Sequence, residues 1–301
     1  MPQIDFIGDI HGHADRLESL LQRLGYVHKN GAYRHPERSV LFVGDYIDRG
    51  PDNVRVVRLV REMADAGTAI ALMGNHEYNA IQFNTLGPKG YVRPHSIKNF
   101  IQHSETLRQY QGKQAEYNEA IAWFRTLPLY YETEDFRAVH ATWDQEAIAA
   151  LTIHTQAGAI PADAWQKAAQ KGTPFYDAVD VSCKGIETNL PGGLSFRDKD
   201  GTERHRIRLK WWLNPQGRSF QEMSVVEGLD LADHPYESAY ARFYGTDEKP
   251  VFFGHYWMKG QPRLMSANVC CLDFSVAKGG VLTAYRFDGE RTLDEGKFVY
   301  V

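Results

Sequence analysis

The chain has 301 residues, of which 43% are hydrophobic and 24% are charged, a balance that is ordinary for a globular protein with a large core. Its formal charge of −4 argues against general nucleic-acid binding, which usually shows as a basic surface. No apolar stretch approaches the ~20 residues of a membrane helix, and three cysteines, two of them adjacent, favour a reducing compartment, so a cytoplasmic protein without membrane contact is predicted.

Strands and helices alternate through the first 77 residues. Ile4–Ile7 is predicted to be a buried strand that begins early enough to leave no room for a signal peptide. Val40–Val43 and Thr68–Met73 are predicted to be further buried strands, and an apolar stripe with helical spacing lies between each pair. The two stripes are Leu17, Leu20, Leu21 and Leu24, then Val56, Val57, Val60 and Met63. This alternation indicates an α/β fold.

The later elements are spread more widely along the chain. Residues 78–135 are expected to be mostly helical. Two short apolar strands follow, Arg137–Val139 before His140 and Val251–Phe253 before Gly254. A last pair, 269–273 and 281–287, is predicted to form a hairpin around a glycine turn.

The segment between the two short strands is the least regular. We expect one domain over residues 1–301 that carries an insertion or cap at 141–250, where substrate selection could reside. Within it, four basic residues alternate with less polar ones, and a period of two places them on one strand face; they are Arg204, Arg206, Arg208 and Lys210. The face is either solvated or a wall for an anionic substrate, and the second interpretation makes Arg206 and Arg208 candidate substrate-binding residues.

Six polar residues of metal-binding type follow the ends of the predicted strands. They are Asp9, His11, Asp45, Asn75, His140 and His255. Each alone could be a turn or capping residue. Ligands bind at the carboxyl edge of open α/β sheets, however, so five strands would deliver all six residues to one spot.

The donor types indicate the kind of metal. Carboxylates, imidazoles and an amide oxygen suit Mn²⁺, with Fe²⁺ or Zn²⁺ as other candidates, and the absence of cysteine argues against a structural zinc site. Six donors are too many for one catalytic ion with open positions but suit two ions that share a carboxylate. Two ions about 3.5–4 Å apart can bind a phosphoryl group, activate a water and stabilise the leaving oxygen.

The motifs resemble those of a known family. The sequence GDIHG at 8–12, GDYIDRG at 44–50 and GNHE at 74–77, followed by a lone His140 and by Gly254-His255, is similar to the calcineurin-like metallophosphoesterases. Arg49 in the second motif, and Trp257 two residues after His255, resemble the phosphoprotein-phosphatase branch with its symmetrical dinucleoside-tetraphosphatase relatives. The resemblance implies two packed mixed β-sheets flanked by helices.

The resemblance also implies roles for the matching residues. Asp9 and His11 would bind the first metal, Asp45 would bridge both, and Asn75, His140 and His255 would bind the second. His76 would be the general acid, held by Asp48, while Arg49, helped by Asn75, would bind the phosphate. Beside these, Glu77 is expected to be a structural partner for turn amides, and His103 to be a surface or loop residue.

The substrate stays open at this level. Protein phosphatases of this branch have His-Gly-Gly where this chain has His140-Ala141-Thr142, and their second phosphate-binding arginine has no match. The main interpretation is a phosphomonoesterase of the serine/threonine protein phosphatase type, acting on a phosphoprotein. One alternative is a dinucleoside polyphosphate hydrolase of the diadenosine tetraphosphate type, acting on a nucleotide. The other is a metal- or nucleotide-binding protein without turnover, although the presence of both His76 and Asp48 argues against it.

Overall fold

A computed structural model describes residues 3–197, 203–237 and 240–301. Nine helices occur in this described part of the chain: α1 Ala14–Arg23, α2 Asn53–Asp65, α3 Asn75–Phe83, α4 Ile97–Gln109, α5 Gln114–Phe124, α6 Gln145–His154, α7 Trp165–Ala168, α8 Pro174–Lys184 and α9 Phe220–Met223. Three short 3₁₀ helices lie at Pro191–Gly193, Val276–Lys278 and Glu295–Lys297. No helix among these residues is long and apolar enough to cross a membrane.

Most of the strands are short. In chain order they are β1 Gln3–Ile7, β2 Val27–Lys29, β3 Ala32–Arg34, β4 Arg38–Phe42, β5 Ala69–Ala71, β6 Leu86–Gly87, β7 Gly90–Tyr91, β8 Tyr130–Glu132, β9 Arg137–Val139, β10 Glu187–Asn189, β11 Phe196–Arg197, β12 Glu203–Arg204, β13 Arg206–Arg208, β14 Val251–Phe253, β15 Val269–Cys271, β16 Asp273–Phe274, β17 Val281–Phe287 and β18 Phe298–Tyr300.

Two mixed sheets organise the larger part of the molecule. The first has the order β16-β17-β1-β4-β5, with β18 also paired to β17; β1, β4 and β5 are parallel, and β17 runs antiparallel to β1. The second has the order β15-β14-β9-β8, in which β14 is parallel to both β9 and β15 while β8 is antiparallel to β9. The predicted fold of two mixed sheets with helices is therefore confirmed.

The core lies between the two sheets. Phe6 of β1 stacks on Phe252 of β14 with ring centroids 3.7 Å apart, and Phe136 meets Phe6 edge to face at 5.0 Å. All three rings are buried. Burial of such large apolar rings is the main favourable contribution to folding, so this contact fixes one sheet against the other.

Both predicted helical stripes face the core. Leu17, Leu20 and Leu21 of α1 are buried, as are Val56, Val60 and Met63 of α2. The α2 helix begins after Asp52, whose side chain accepts a hydrogen bond from the Arg55 amide, a common form of N-terminal capping. The local pattern of the sequence thus positions the helices that cover the first sheet.

The predicted final hairpin is wrong in its first strand. Val269–Cys271 pairs in parallel with β14 in the second sheet, and only Asp273–Phe274 pairs with β17. Leu272 donates its backbone N–H to Phe253, and the chain then crosses from one sheet to the other. The buried apolar character of this run is correctly predicted, but its partner is set by the packing of the two sheets.

The chain divides into two compact units. One comprises residues 1–184 with 249–301, and the other comprises residues 185–248. The smaller unit contains the two-stranded pairs β10-β13 and β11-β12 and a buried aromatic contact between Trp211 and Tyr244. Whether residues 141–250 act as an insertion or cap within a single domain remains a prediction.

Candidate metal centre and active site

Each predicted metal-binding residue lies just beyond a strand of the larger unit. Asp9 and His11 follow β1, Asp45 follows β4, and Asn75 begins α3 after β5. His140 and His255 follow β9 and β14, which are parallel neighbours in the second sheet. All except Asn75, which is half-buried, are buried. The strand ends therefore deliver the six predicted residues to one region, as expected for the carboxyl edge of parallel strands.

Glycines before these residues allow the chain segments to approach closely. A side chain at Gly254 would overlap the Asp9 carboxylate, and one at Gly74 would overlap the Asp45 backbone nitrogen. Gly44 has a φ of 110°, a conformation that other residues rarely adopt. The glycines of the motifs are thus required by the closeness of the ligand-bearing turns.

Asp9, His11 and Asp45 form one side of the site. Asp9 accepts hydrogen bonds from the His255 backbone N–H at 3.2 and 3.0 Å. His11 donates from Nδ1 to the Ile47 carbonyl at 2.9 Å, which leaves Nε2 3.6 Å from the Asp45 carboxylate. Burial lowers the pKa of His11, with the Arg49 charge acting in the same direction. His11 is therefore a neutral imidazole, which is the form that binds metals.

Asp45, Asn75, His140 and His255 form the other side. His140 donates from Nδ1 to the Val43 carbonyl at 2.8 Å and places Nε2 3.4 Å from Asp45. His255 has the opposite arrangement, because its Nε2 lies 3.0 Å from the Lys184 carbonyl and its Nδ1 faces Asn75 at 2.6 Å. Each ring uses one nitrogen for a backbone carbonyl and aims the other into the site, the usual way to orient a metal-binding imidazole.

The donor atoms fit a bound cation. The Asn75 carboxamide oxygen lies 3.2 Å from His140 Nε2 and 2.6 Å from His255 Nδ1, so it faces other acceptors. Turned over, the amide would donate to those atoms and to Asp45; in either orientation Asp45, His140 and His255 bring possible ligand atoms to one place. Ligand atoms of these three lie within 4.8 Å of one another, as do those of His11, Asp45 and His76.

The charges of the site also favour a bound cation. Burial raises the pKa of Asp9 well above its ordinary value, and the negative charges of Asp273 and Asp45 add to that effect. Burial would also raise the pKa of Asp45, but the charges of His140 and His76 hold it well below its usual range. Three buried carboxylates in one region need compensating positive charge, and divalent cations would supply it.

His76 and Asp48 form the predicted pair. His76 Nδ1 lies 2.5 Å from Asp48 Oδ2, and His76 Nε2 lies 4.0 Å from Asp45 Oδ2. His76 is at the first turn of α3, and its backbone N–H donates to Asp45 at 2.9 Å. The Asp48 carboxylate fixes the ring so that Nε2 points toward the metal-binding residues.

His103 is part of this arrangement and lies on α4, so its prediction as a surface or loop residue is wrong. It is 5% exposed, its Nδ1 lies 2.7 Å from Asp48 Oδ1, and its Nε2 lies 2.8 Å from the Tyr117 hydroxyl. Thr106, one turn further along α4, donates to Asp48 Oδ1 at 2.6 Å. The spacing of His103 and Thr106 places them on one helix face, but nothing local connects that face to Asp48.

These contacts set the charge state of Asp48. Burial alone would raise the pKa of Asp48, but hydrogen bonds from His103 and His76 lower it well below its ordinary value. Asp48 is therefore a carboxylate throughout the neutral range. A buried charge with several hydrogen-bond donors is the type of group that orients a catalytic imidazole.

Glu77 stabilises the turns that carry the ligands, as predicted. Its carboxylate accepts hydrogen bonds from the backbone N–H groups of Asp45 and Tyr46, each at 2.9 Å, and of Gly74 at 3.0 Å. A longer bond from Ile47 joins them at 3.3 Å. One side chain thus ties the turn after β4 to the start of α3.

Arg49 lies at the exposed edge of the site. Its Nη1 donates to His11 Nε2 at 2.8 Å, and its Cζ lies 3.8 Å from the centre of the Trp257 ring. The Trp257 backbone N–H in turn donates to Asp273 at 2.7 Å. A guanidinium held beside the metal-binding residues can bind phosphate oxygens through two N–H groups.

Arg206 and Arg208 lie in the smaller unit. Both are near Glu187, with nitrogen–oxygen distances of 3.9 and 3.7 Å, and Arg206 also donates to the Glu187 carbonyl at 2.9 Å. The predicted strand of four basic residues is interrupted at His205, between β12 and β13. A role of the two arginines in substrate binding remains a prediction.

Comparison with known proteins now identifies the family. The family model for calcineurin-like phosphoesterases matches residues 2–255. The chain belongs to this family. It is therefore a phosphoric ester hydrolase, as the motif order predicted, and the clustered aspartates and histidines of this hydrolase form a divalent metal site.

Curated relatives narrow the comparison. The chain is 34% identical to the asymmetrical bis(5′-nucleosyl)-tetraphosphatase PrpE of Halalkalibacterium halodurans over 179 residues. These aligned residues are 57% of this chain and 70% of the relative. It is 33% identical over 127 residues to PrpE of Bacillus subtilis, covering 42% of this chain and 51% of the relative. With PrpE of Oceanobacillus iheyensis the identity is 48% over 75 residues, or 25% and 30% of the two chains. The chain thus spans 30% to 70% of the length of these relatives.

Solved structures support the fold. A structure described as a candidate diadenosine tetraphosphatase covers 100% of this chain and 95% of its own, with a TM-score of 0.50 at 20% identity. A serine/threonine phosphatase of Saccharomyces cerevisiae, described as similar to human phosphatase PP5, covers 100% and 79%, with a TM-score of 0.50 at 14% identity. At this identity the likeness concerns the fold alone. The curated relatives favour the nucleotide interpretation over the protein phosphatase that was our main prediction.

Proposed function

We propose that this hydrolase cleaves dinucleoside polyphosphates with the help of two divalent metal ions. The proposal is supported by the clustering of the predicted metal-binding residues beside the His76–Asp48 pair, in a chain related to PrpE tetraphosphatases. The donor set suits Mn²⁺, with Fe²⁺ and Zn²⁺ as alternatives. The substrate would be a nucleotide with several linked phosphates.

The chain offers a place for each ion. Asp9, His11 and Asp45 would hold one of them. Asp45 would be shared, and Asn75, His140 and His255 would complete the second site. When bound, the ions supply Lewis-acid activation of the phosphoryl group and of the attacking water.

The other residues would position and protonate the substrate. Arg49 would bind oxygens of the phosphoryl group under attack, since its guanidinium lies beside His11. A water that has lost one proton to solvent would add to phosphorus, the bond to the leaving oxygen would break, and protonated His76 would give that oxygen its Nε2 proton. Asp48 would keep the ring oriented by its hydrogen bond to Nδ1. We further propose that Arg206 and Arg208 contact the polyphosphate.

The proposal is tested by comparing substrates after loading with Mn²⁺. Product release would be measured with diadenosine tetraphosphate, a phosphoserine peptide and p-nitrophenyl phosphate, using wild type and Asp45→Asn. We expect diadenosine tetraphosphate to give the highest kcat/KM and the variant to lose activity on all three substrates. A higher kcat/KM on the phosphopeptide would instead support the protein phosphatase, and chromatography of the nucleotide products would show which bond is cleaved.

His76→Ala provides a second test of the mechanism. General-acid catalysis contributes about 10²–10⁴-fold, so activity should fall by at least ~10²-fold while bound metal, measured by elemental analysis, is retained. The loss should be larger for the phosphoserine peptide than for the dinucleotide, because a serine alkoxide is a stronger base than a phosphate leaving group. Full activity of His76→Ala on every substrate would contradict the assigned role.

A further inference from the structure

The indole ring of Trp257 carries two cations at the edge of the site. Arg49 Cζ lies 3.8 Å from the ring centre and Lys278 Nζ lies 3.7 Å from the same centre. Since both are measured to one point, the two charged groups are at most 7.5 Å apart. Arginine and lysine are both attracted to the face of tryptophan, yet two like charges this close repel each other. An anion near both would relieve the repulsion.

Defined hydrogen bonds position Lys278 beside the ring. Asp273 accepts the Trp257 backbone N–H at 2.7 Å and the Ser275 backbone N–H at 3.0 Å. Ser275 also donates from its hydroxyl to the Met258 carbonyl at 3.0 Å. The turn that carries Trp257 and the short 3₁₀ helix that ends at Lys278 are therefore tied to the same carboxylate.

The backbone around the ring is strained at each contributing segment. Arg49 has a φ of 71°, Trp257 of 53° and Ser275 of 61°. Non-glycine residues rarely adopt such values, and they persist where surrounding structure enforces them, often at functional sites. Arg49 lies against the Trp257 ring, and Ser275 is joined to the turn that carries this ring through its hydrogen bonds to Asp273 and the Met258 carbonyl.

The pair of cations is adjacent to the metal-binding residues and open to solvent. Arg49 Nη1 lies 2.8 Å from His11 Nε2, and the His11 and Trp257 ring centres are 5.9 Å apart. Arg49 and Lys278 are both exposed. The indole face holds the Lys278 ammonium beside Arg49, at the solvent-exposed edge of the site.

We propose that Arg49 and Lys278, both held on Trp257, bind neighbouring phosphates of the substrate, so that Lys278 binds the phosphates that are not being cleaved. This inference rests on the proposed function, since it requires a substrate with more than one linked phosphate. Arg49 would bind the phosphoryl group under attack, and Lys278 would bind the next part of the chain. A substrate with a single phosphate would reach Arg49 without using Lys278.

The test compares two inorganic inhibitors of p-nitrophenyl phosphate hydrolysis. The inhibition constants of tripolyphosphate and orthophosphate would be measured for wild type, Lys278→Met, Lys278→Arg and Lys113→Met, an exposed lysine on another helix end. We expect the selectivity for tripolyphosphate over orthophosphate to fall about three- to tenfold in Lys278→Met, a modest effect because exposed charges are screened by solvent. Lys278→Arg should restore it, and Lys113→Met should keep the wild-type ratio.

The outcomes separate this inference from the proposed function. An unchanged ratio in Lys278→Met, or a lowered ratio that Lys278→Arg does not restore, would overturn the inference. An equal fall in Lys113→Met would also overturn it, because a general loss of positive charge would then explain the effect. If wild type fails to cleave diadenosine tetraphosphate but the ratio responds as expected, the proposed function fails and the polyphosphate site stands.

Discussion

Replacement of Asp48 by asparagine should lower both the catalytic rate and the stability of this hydrolase. The Asp48 carboxylate is 3% exposed and accepts three hydrogen bonds, from His76 at 2.5 Å, His103 at 2.7 Å and Thr106 at 2.6 Å. Asparagine keeps the shape, but its NH₂ group would face one of these donors. Hydrogen bonds to a charged group contribute about 1.5–3 kcal/mol each, and breaking a buried charged pair costs about 3–5 kcal/mol.

We therefore expect Asp48→Asn to lower the free energy of unfolding by about 3–5 kcal/mol and kcat by about 10²–10⁴-fold. The rate falls because His76 loses the carboxylate that orients its ring. Thr106→Val is the matched control, since it removes the hydrogen bond that Thr106 donates to the Asp48 carboxylate and the one that it accepts from the Asp48 backbone N–H, but leaves the charge. It should cost about 1.5–3 kcal/mol while kcat changes far less.

Urea unfolding and p-nitrophenyl phosphate hydrolysis measure the two quantities. Asp48→Asn with a wild-type kcat would refute the role given to the His76–Asp48 pair. Equal losses of kcat in Asp48→Asn and Thr106→Val would show that general destabilisation, and not the carboxylate, explains the rate.

The same variant makes a prediction about pH. Because the pKa of Asp48 is lowered in the folded state, its stabilising effect is complete above the unfolded value of about 3.9. The effect is lost as the pH falls through the lower folded value. The stability difference between wild type and Asp48→Asn should therefore be constant near neutral pH and shrink below about pH 4. A difference that grows on acidification would contradict this sign.

Three further predictions concern the metals and their surroundings. Adding Mn²⁺ at about 100 times its Kd should stabilise the apo-protein by about 2.7 kcal/mol, seen as a rise in Tm that Asp45→Asn lacks; an equal rise in the variant would argue against the site. Glu77→Gln should lower Tm and weaken metal binding, because one carboxylate holds the backbone amides of both turns. Calorimetric titration would measure the affinity for Mn²⁺, and a wild-type affinity in the variant would contradict the prediction. Replacing Arg206 and Arg208 together by serine should raise KM for diadenosine tetraphosphate more than for p-nitrophenyl phosphate, whereas equal KM values would exclude them from substrate binding.

The clustering of the candidate metal-binding residues could be predicted because its signals are local. Asp9, Asp45 and Asn75 each follow an apolar run and a glycine, and the ends of parallel strands meet at one edge. The helical stripes were predictable for the same reason, since a period of 3.6 residues is written in the sequence. The role of Glu77 also follows from its place in a helix start next to a ligand turn.

His103 shows where sequence reasoning ends. It contacts Asp48, which lies 55 positions earlier in the chain, and no local pattern in its helix predicts this contact. The same holds for Lys278, which reaches the Trp257 ring only because Asp273 and Ser275 tie two turns together. Such contacts depend on how distant elements pack.

The sequence by itself therefore determined the residue types of the candidate site, the strand ends that carry them and the class of chemistry. The tertiary structure decided which sheet Val269–Cys271 joins, which residues surround Asp48, and which cations share Trp257. The physical reason is that an apolar run specifies burial but no partner, whereas pairing between sheets is chosen by the packing of rings such as Phe6 on Phe252. Only when that core is formed do residues far apart in the chain come within hydrogen-bonding distance.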